Sequence, residues 1–368
     1  MAVSDEQPID HLLDLDYRVR VSSDSDLGIA VVGCGGIVNY AHLPSYAAHD
    51  LNIVGCFDVN HQVARRTADD HGIPRVYESI EDVAKDSDVV IVDIAVPPWE
   101  QLNVARKLID AGKHLLCQKP LSNVFAEAVQ IVEAADESGV LVAVNQQFRW
   151  SPAIKASKTL IDKGWIGQPT EVSIQESMLS PWHLWPWLAT SPQLEVMYHS
   201  IHYLDGMRFL FGDPEWVTSR HTRNPGEDRV RGETKTITVL DYEDGLQGLV
   251  AVNHSNNSDD VYGLVRFLGT EGVITGTMGL SYDYPDGRED TLEWSASARY
   301  PEHRFEAKLE GRWIPDAFIG PMASLIEALR QNGDPLTNGR DNLNTLRIVG
   351  AAYLSASENR SVRPEEIS

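Results

Sequence analysis

The chain has 368 residues, of which 42% are hydrophobic and 23% charged, and its 54 acidic against 31 basic side chains give a formal net charge of −23. This length exceeds what one hydrophobic core usually supports, so two domains are expected, and the composition excludes a disordered chain. The charge excludes nucleic acid and anionic membrane surfaces as partners, and no apolar run approaches the ~20 residues needed to cross a bilayer.

Residues 1–26 form a polar, acidic extension without the basic and then apolar segments of a signal peptide, so a cytoplasmic protein is expected. The extension has no partner legible in the sequence, and its expected states are disorder or wrapping around a neighbouring subunit. Cys34, Cys56 and Cys117 lie at or beside predicted strand ends without disulfide or zinc spacing, and read as small buried hydrophobes.

From Leu27 onward short apolar strands alternate with amphipathic helices, which predicts a parallel sheet covered on both faces. The first strand, Ile29 to Val32, runs into Gly33, Cys34, Gly35, Gly36 and Ile37. Gly33 and Gly35 permit a tight turn and close approach to a pyrophosphate, and the residues after them open a helix whose N-terminus favours phosphate. Val38 occupies the third small-residue position of this fingerprint, which ordinarily holds glycine or alanine. A second strand, Leu51 to Phe57, ends at Asp58, a carboxylate placed to accept hydrogen bonds from both adenosine ribose hydroxyls. A 2′-phosphate would meet that negative charge, so NAD is expected in preference to NADP.

The next strands are predicted at Val89 to Val96, His114 to Cys117 and Leu141 to Val144, with helices at Trp99 to Ala111 and Val124 to Ser138. They end respectively at Pro97-Pro98, at Gln118-Lys119-Pro120 and at Gln147 to Pro152, which includes Arg149. Ligands of open parallel sheets bind outside such carboxyl ends, so these residues are expected at one site. Taken alone, Lys119 must face either that crevice or solvent. After a helix at Ala153 to Lys163 come alternating strands at Thr170–Gln175, Thr234–Leu240, Gln247–Val252, Gly263–Leu268 and Val273–Thr277, then helices at Asp316–Gln331 and Asn342–Glu358. This texture predicts a second domain with an antiparallel sheet.

Ala111-Gly112-Lys113-His114-Leu115-Leu116-Cys117-Gln118-Lys119-Pro120 resembles the Ala-Gly-Lys-His-Val-x-x-Glu-Lys-Pro segment of the Gfo/Idh/MocA family, and the resemblance runs from about Leu27 to Pro364. It implies an NAD-binding Rossmann domain over 27–148 and a C-terminal α+β domain over 149–368. The latter would have a large, open-faced, mostly antiparallel sheet that binds substrate and pairs subunits into a homodimer or homotetramer, and its last helix would pack back on the first domain. By this similarity Lys119 is the active-site lysine beside the nicotinamide and the substrate hydroxyl, with Val96, Pro97, Gln101, Gln118 and Arg149 as further cofactor contacts. The chain departs from the family in having Gln118 for glutamate, Val96-Pro97-Pro98 for Thr-Pro-Asn, and Gln101 where a histidine usually stands.

A second constellation, Met197 to Asp205, opens a helix on which Tyr198, His202 and Asp205 are expected to share a face, with His199 nearby. The family pattern Asp-x-x-x-His-x-x-Asp places His202 at the general acid/base position, with Tyr198 replacing the first aspartate; catalysis is therefore expected to rest on Lys119 or to enlist His199. No third ligand at suitable spacing accompanies the two histidines, so no metal is expected. Trp182, His183 and Trp185 lie in a tryptophan-rich stretch suited to stacking on a sugar ring; a subunit contact is the competing reading. Arg149, Lys119, His199 and His202 complete the expected substrate set.

These residues point to an NAD-dependent oxidoreductase acting on a secondary hydroxyl of a sugar, sugar acid, glycoside or cyclic polyol. Two alternatives share the motifs: a redox-neutral eliminase or glycosidase that recycles a tightly held NAD, and a non-catalytic NAD-binding sensor.

Overall fold

The structure, a computed structural model, describes residues 14–21 and 27–368, apart from the side chain of His183. Four-to-five-residue apolar runs build the first sheet: β1 (Ile29–Val32), β2 (Ile53–Phe57), β3 (Ile91–Ile94), β4 (His114–Cys117) and the shorter β5 (Val142–Val144), all parallel in the order β2-β1-β3-β4-β5. Every residue of β1 and β3 is buried, as expected of strands covered on both faces. The connecting helices are α1 (Leu43–Ala47), α2 (His61–His71), α3 (Ile80–Lys85), α4 (Pro98–Asp110) and α5 (Phe125–Ser138). Because β2 and β3 flank β1 on opposite sides, the chain reverses direction there and leaves a crevice at the carboxyl ends of β1 and β3.

After α6 (Pro152–Asp162) the second sheet assembles from β6 (Pro169–Ser177), β7 (Trp216–Thr222), β8 (Lys235–Asp241), β9 (Gln247–Asn253), β10 (Tyr262–Gly269), β11 (Val273–Thr277), β12 (Asp290–Ser295) and β13 (Phe305–Leu309). Their order is β13-β12-β11-β10-β6-β9-β8-β7, antiparallel except for the β6–β9 pair. One face is buried against α6, α7 (Ile201–Phe211) and α9 (Gly339–Glu358), with α8 (Ile319–Gln331) packed on the first sheet. The other face is open, and one row across it carries Ile237, Ala251, Gln175 and Leu264 in register, with Ile237 48% and Leu264 39% exposed. The last helix, α9, also lies against α5, where Arg340 pairs with Asp136 and the Arg347 guanidinium sits over Phe125.

Two findings revise the sequence reading. Strands β7, β12 and β13 were not anticipated. The described part of the N-terminal extension, residues 14–21, lies against this chain's own C-terminal domain: Leu15 is buried in the core, the Lys163 amine donates to the Asp14 carbonyl, and the Tyr17 hydroxyl accepts from the Glu310 amide. The rest of the extension lies outside the described residues.

Candidate active site

At the end of β1 the backbone must turn left-handed. Gly33 has φ +94°, and a Cβ there would approach the Ala95 carbonyl oxygen to 2.4 Å, so only glycine fits. Cβ atoms at Gly35 and Gly36 would meet nothing within 4 Å, which leaves that stretch of backbone open to a ligand. The following helix begins with an i→i+5 turn over Val38–His42, and this wider turn coincides with the bulky Val38. Asn39 secures the loop, its amide donating to the Cys34 and Gly35 carbonyls at 2.9 and 3.0 Å. The Asp58 carboxylate accepts from the Cys34 amide and the Asn60 amide, each at 2.8 Å, and is thereby fixed beside the glycine loop.

The crevice continues into a cavity of about 720 Å³ that reaches the C-terminal domain. Gly33, Gly35, Gly36, Ile37, Asp58, Val96, Pro97, Gln118 and Lys119 line it from the first domain, and Trp182, Trp185, Tyr198, His199 and His202 from the second. An adenine dinucleotide fits this donor set: an open glycine turn at a helix start, a fixed carboxylate some way along, and room for a ring system beyond. Trp187, the third tryptophan of the tryptophan-rich stretch, also lines the cavity, as do Trp313 and Glu176, which the sequence does not single out. Trp187 contacts Trp99 across the mouth, with ring centroids 5.5 Å apart.

Lys119 is half-buried, and its amine donates to the Tyr198 main-chain carbonyl; the Tyr198 phenol is not its partner. Among the described residues no carboxylate pairs with it, and burial lowers its pKa to about 7. His202 lies beside Trp313, 5.3 Å between ring centroids, and burial with the nearby Lys119 charge holds its pKa well below that of a free imidazole. His199 is shifted in the same direction by burial and by His254, His202 and Lys119. Both imidazoles are therefore neutral at physiological pH.

A buried network behind Lys119 escaped the sequence reading. The Gln118 carbonyl oxygen Oε1 accepts from the Lys119 amide at 2.7 Å, and the Gln118 and Asn145 amides both donate to His42 Nε2, at 3.1 and 3.2 Å. Two donors on Nε2 place the His42 proton on Nδ1, 2.7 Å from Asp93 Oδ2, which also accepts from the Tyr46 hydroxyl at 2.8 Å. The loop carrying Lys119 is thus anchored through His42 to the π turn before α1 and through Asp93 to β3.

Two expected contacts are absent from the cavity wall. Gln101 faces the end of β4, where its amide donates to the Gln118 and Pro120 carbonyls at 2.7 Å each. It braces the lysine loop from behind. Arg149 is buried in a bidentate pair with Asp205, at 2.7 and 2.8 Å, and also binds Asp341 and the Leu336 carbonyl. Asp205 is held in that pair and, unlike Tyr198 and His202, does not line the cavity. Tyr198 itself lies in a π-helical turn, Val196–Ser200, which a 3.6-residue count does not anticipate.

Family comparisons agree with this architecture. Residues 27–146 match the model described as the oxidoreductase family, NAD-binding Rossmann fold, and residues 158–363 match its C-terminal alpha/beta domain. The chain belongs to the Gfo/Idh/MocA oxidoreductase family. It is 31% identical over 342 residues to a D-apiose dehydrogenase of Paraburkholderia graminis, covering 90% of this chain and 88% of that one. A D-apiose dehydrogenase of Rhizobium rhizogenes is 27% identical over 92% of this chain and 97% of its own. Among solved structures, an Agrobacterium radiobacter oxidoreductase in complex with NAD+, L-tartaric acid and magnesium superimposes with a TM-score of 0.82 at 25% identity, over 94% of this chain and 100% of that one. The protein is an oxidoreductase with an NAD-binding Rossmann domain, and among the described residues no helix is long and apolar enough to cross a membrane.

Proposed function

We propose that the protein oxidises a secondary hydroxyl of a sugar, sugar acid, glycoside or cyclic polyol, with NAD as acceptor and Lys119 as general base. The observation carrying this reading is a half-buried amine with no carboxylate partner, set with His202 in a cavity that opens onto a glycine turn. The names of the two D-apiose dehydrogenases to which the chain is similar support the substrate class.

Gly33, Gly35, Gly36 and Ile37 would receive the pyrophosphate, Asp58 the adenosine ribose, and Val96 and Pro97 the nicotinamide half. Bound there, the nicotinamide supplies the hydride acceptor. Neutral Lys119 takes the hydroxyl proton as the carbon-bound hydride leaves, which yields a carbonyl and an ammonium. While the hydride is departing, the newly charged amine stabilises the negative charge that develops on the oxygen before the carbonyl forms. His202, neutral and aimed into the same space, hydrogen-bonds that oxygen and orients it. Trp182 and Trp185 form the apolar wall for the ring.

Because Lys119 must be deprotonated to act, kcat/KM for oxidation is expected to fall about tenfold per pH unit below about 7 and to level off above it, whereas the reverse reduction declines as pH rises. A steady-state profile flat across that pH range contradicts the assignment.

Asp58 gives the proposal its NAD preference. Charge-assisted hydrogen bonds contribute roughly 1.5–3 kcal/mol, so Asp58→Ala is expected to raise KM for NAD by about 10–100-fold and to narrow the preference over NADP. An unchanged ratio of kcat/KM for the two cofactors removes Asp58 from the ribose site.

A further inference from the structure

Beyond the dinucleotide end, three side chains from separate elements converge on one point of the cavity wall. Glu176 comes from the end of β6, His199 from the π-helical turn before α7, and His254 from the segment after β9. Glu176 Oε2 lies 3.7 Å from His199 Nδ1 and 3.6 Å from His254 Nε2, and all three donor atoms lie within 4.8 Å of one another. Those separations are too long for hydrogen bonds, and both imidazole nitrogens are buried without a partner.

The two distances from Glu176 are close to what a small cation needs. Bonds of about 2.0–2.2 Å in a tetrahedral site put neighbouring donor atoms roughly 3.3–3.6 Å apart. We infer that Glu176, His199 and His254 hold a divalent transition-metal ion of the zinc class, with the remaining coordination position turned to the cavity.

Three further observations suit ligands of this kind. The Ser180 hydroxyl hydrogen-bonds His254 Nδ1, which fixes the ring and leaves the Nε2 lone pair aimed at Glu176. Glu176 is itself oriented by the Tyr203 hydroxyl on Oε2 at 2.5 Å and by the Ser281 hydroxyl on Oε1. Among the described residues no lysine or arginine pairs with this buried carboxylate, so a cation would provide its counter-charge. Glu195 Oε1 also comes within 3.7 Å of His254 Nε2, but of the two carboxylates it is Glu176 that lies near both His199 and His254. The three-ligand arrangement with an open fourth position is that of a site able to take an oxygen donor from a cavity ligand. The sequence hides this set because Glu176 and His254 stand far from His199 along the chain.

The test uses the untagged full chain, stripped with a chelator and titrated with Co2+ alone, without NAD or sugar. A visible ligand-field absorption of tetrahedral type is expected to saturate at one equivalent and to be displaced by Zn2+. His254→Ala, shown to be folded by its melting curve, is expected to abolish it, and Ser180→Ala, which leaves the ligands in place, to weaken binding by about 10–100-fold. A wild-type protein that gives no such band, or a band that persists in folded His254→Ala, overturns the inference. Neither readout involves hydride transfer, so failure here is distinguishable from failure of the dehydrogenase reading.

Discussion

Lys119→Ala is expected to lower kcat for sugar oxidation by about 10²–10⁴-fold, the usual contribution of a positioned general base, while NAD binding measured by calorimetry changes little. The amine reaches the Tyr198 carbonyl across the cavity, whereas the glycine loop and Asp58 that would hold the adenosine half are built from β1 and β2. Lys119→Arg separates two explanations for the loss. A guanidinium keeps the positive charge but cannot be deprotonated, so if proton abstraction is the role, arginine fails nearly as badly as alanine. An arginine variant with near-native kcat would instead show that only the charge matters.

The largest effect on stability is expected at Arg149. Its guanidinium binds Asp205 through two nitrogens and shares Asp341 with Arg208, and Asp205 also accepts from the Thr345 hydroxyl at 2.7 Å. The arginine side chain is 5% exposed and that of Asp205 not at all. Arg149→Met would leave the buried Asp205 carboxylate without its bidentate cation, which costs about 3–5 kcal/mol and should lower the thermal midpoint by roughly 4–6 °C. The surviving folded protein should keep its KM for NAD and sugar, because Arg149 stands behind the cavity wall. A variant with native thermal stability but altered KM would restore Arg149 to the role that family resemblance implies for it.

That disagreement marks where the sequence stops informing. The first sheet is legible because each parallel strand is a short apolar run ending in turn residues, and β8, β9, β10 and β11 are legible through their alternation. Strand β7 is not, since its buried positions include Ser219, whose polar groups are satisfied by Ser355, Thr238 and Ile237 from other elements. Strand β12 begins at Asp290, a buried carboxylate held by the Gly279 and Ala153 amides, and follows a charged turn that reads as loop. Strand β13, at the sheet edge, is five residues long and carries Glu306 and Lys308.

The candidate site divides in the same way. Gly33, Asp58, Lys119 and His202 announce themselves by local pattern or by motif. His42, Asp93 and Asn145, which together anchor Gln118, and Glu176 with His254, are distant in sequence and meet only through the fold. The π-helical turn at Val196–Ser200, which carries Tyr198 and His199, is equally invisible to a 3.6-residue count.

The most direct test of the account is NADH formation by the purified protein on a panel of monosaccharides including D-apiose, sugar acids, glycosides and inositols, with NADP in parallel and Lys119→Ala as control. Stoichiometric, substrate-dependent NADH that disappears in the variant is the predicted result. Conversion of a sugar with NAD bound but no net NADH, or NAD binding with silence across the whole panel, would contradict it.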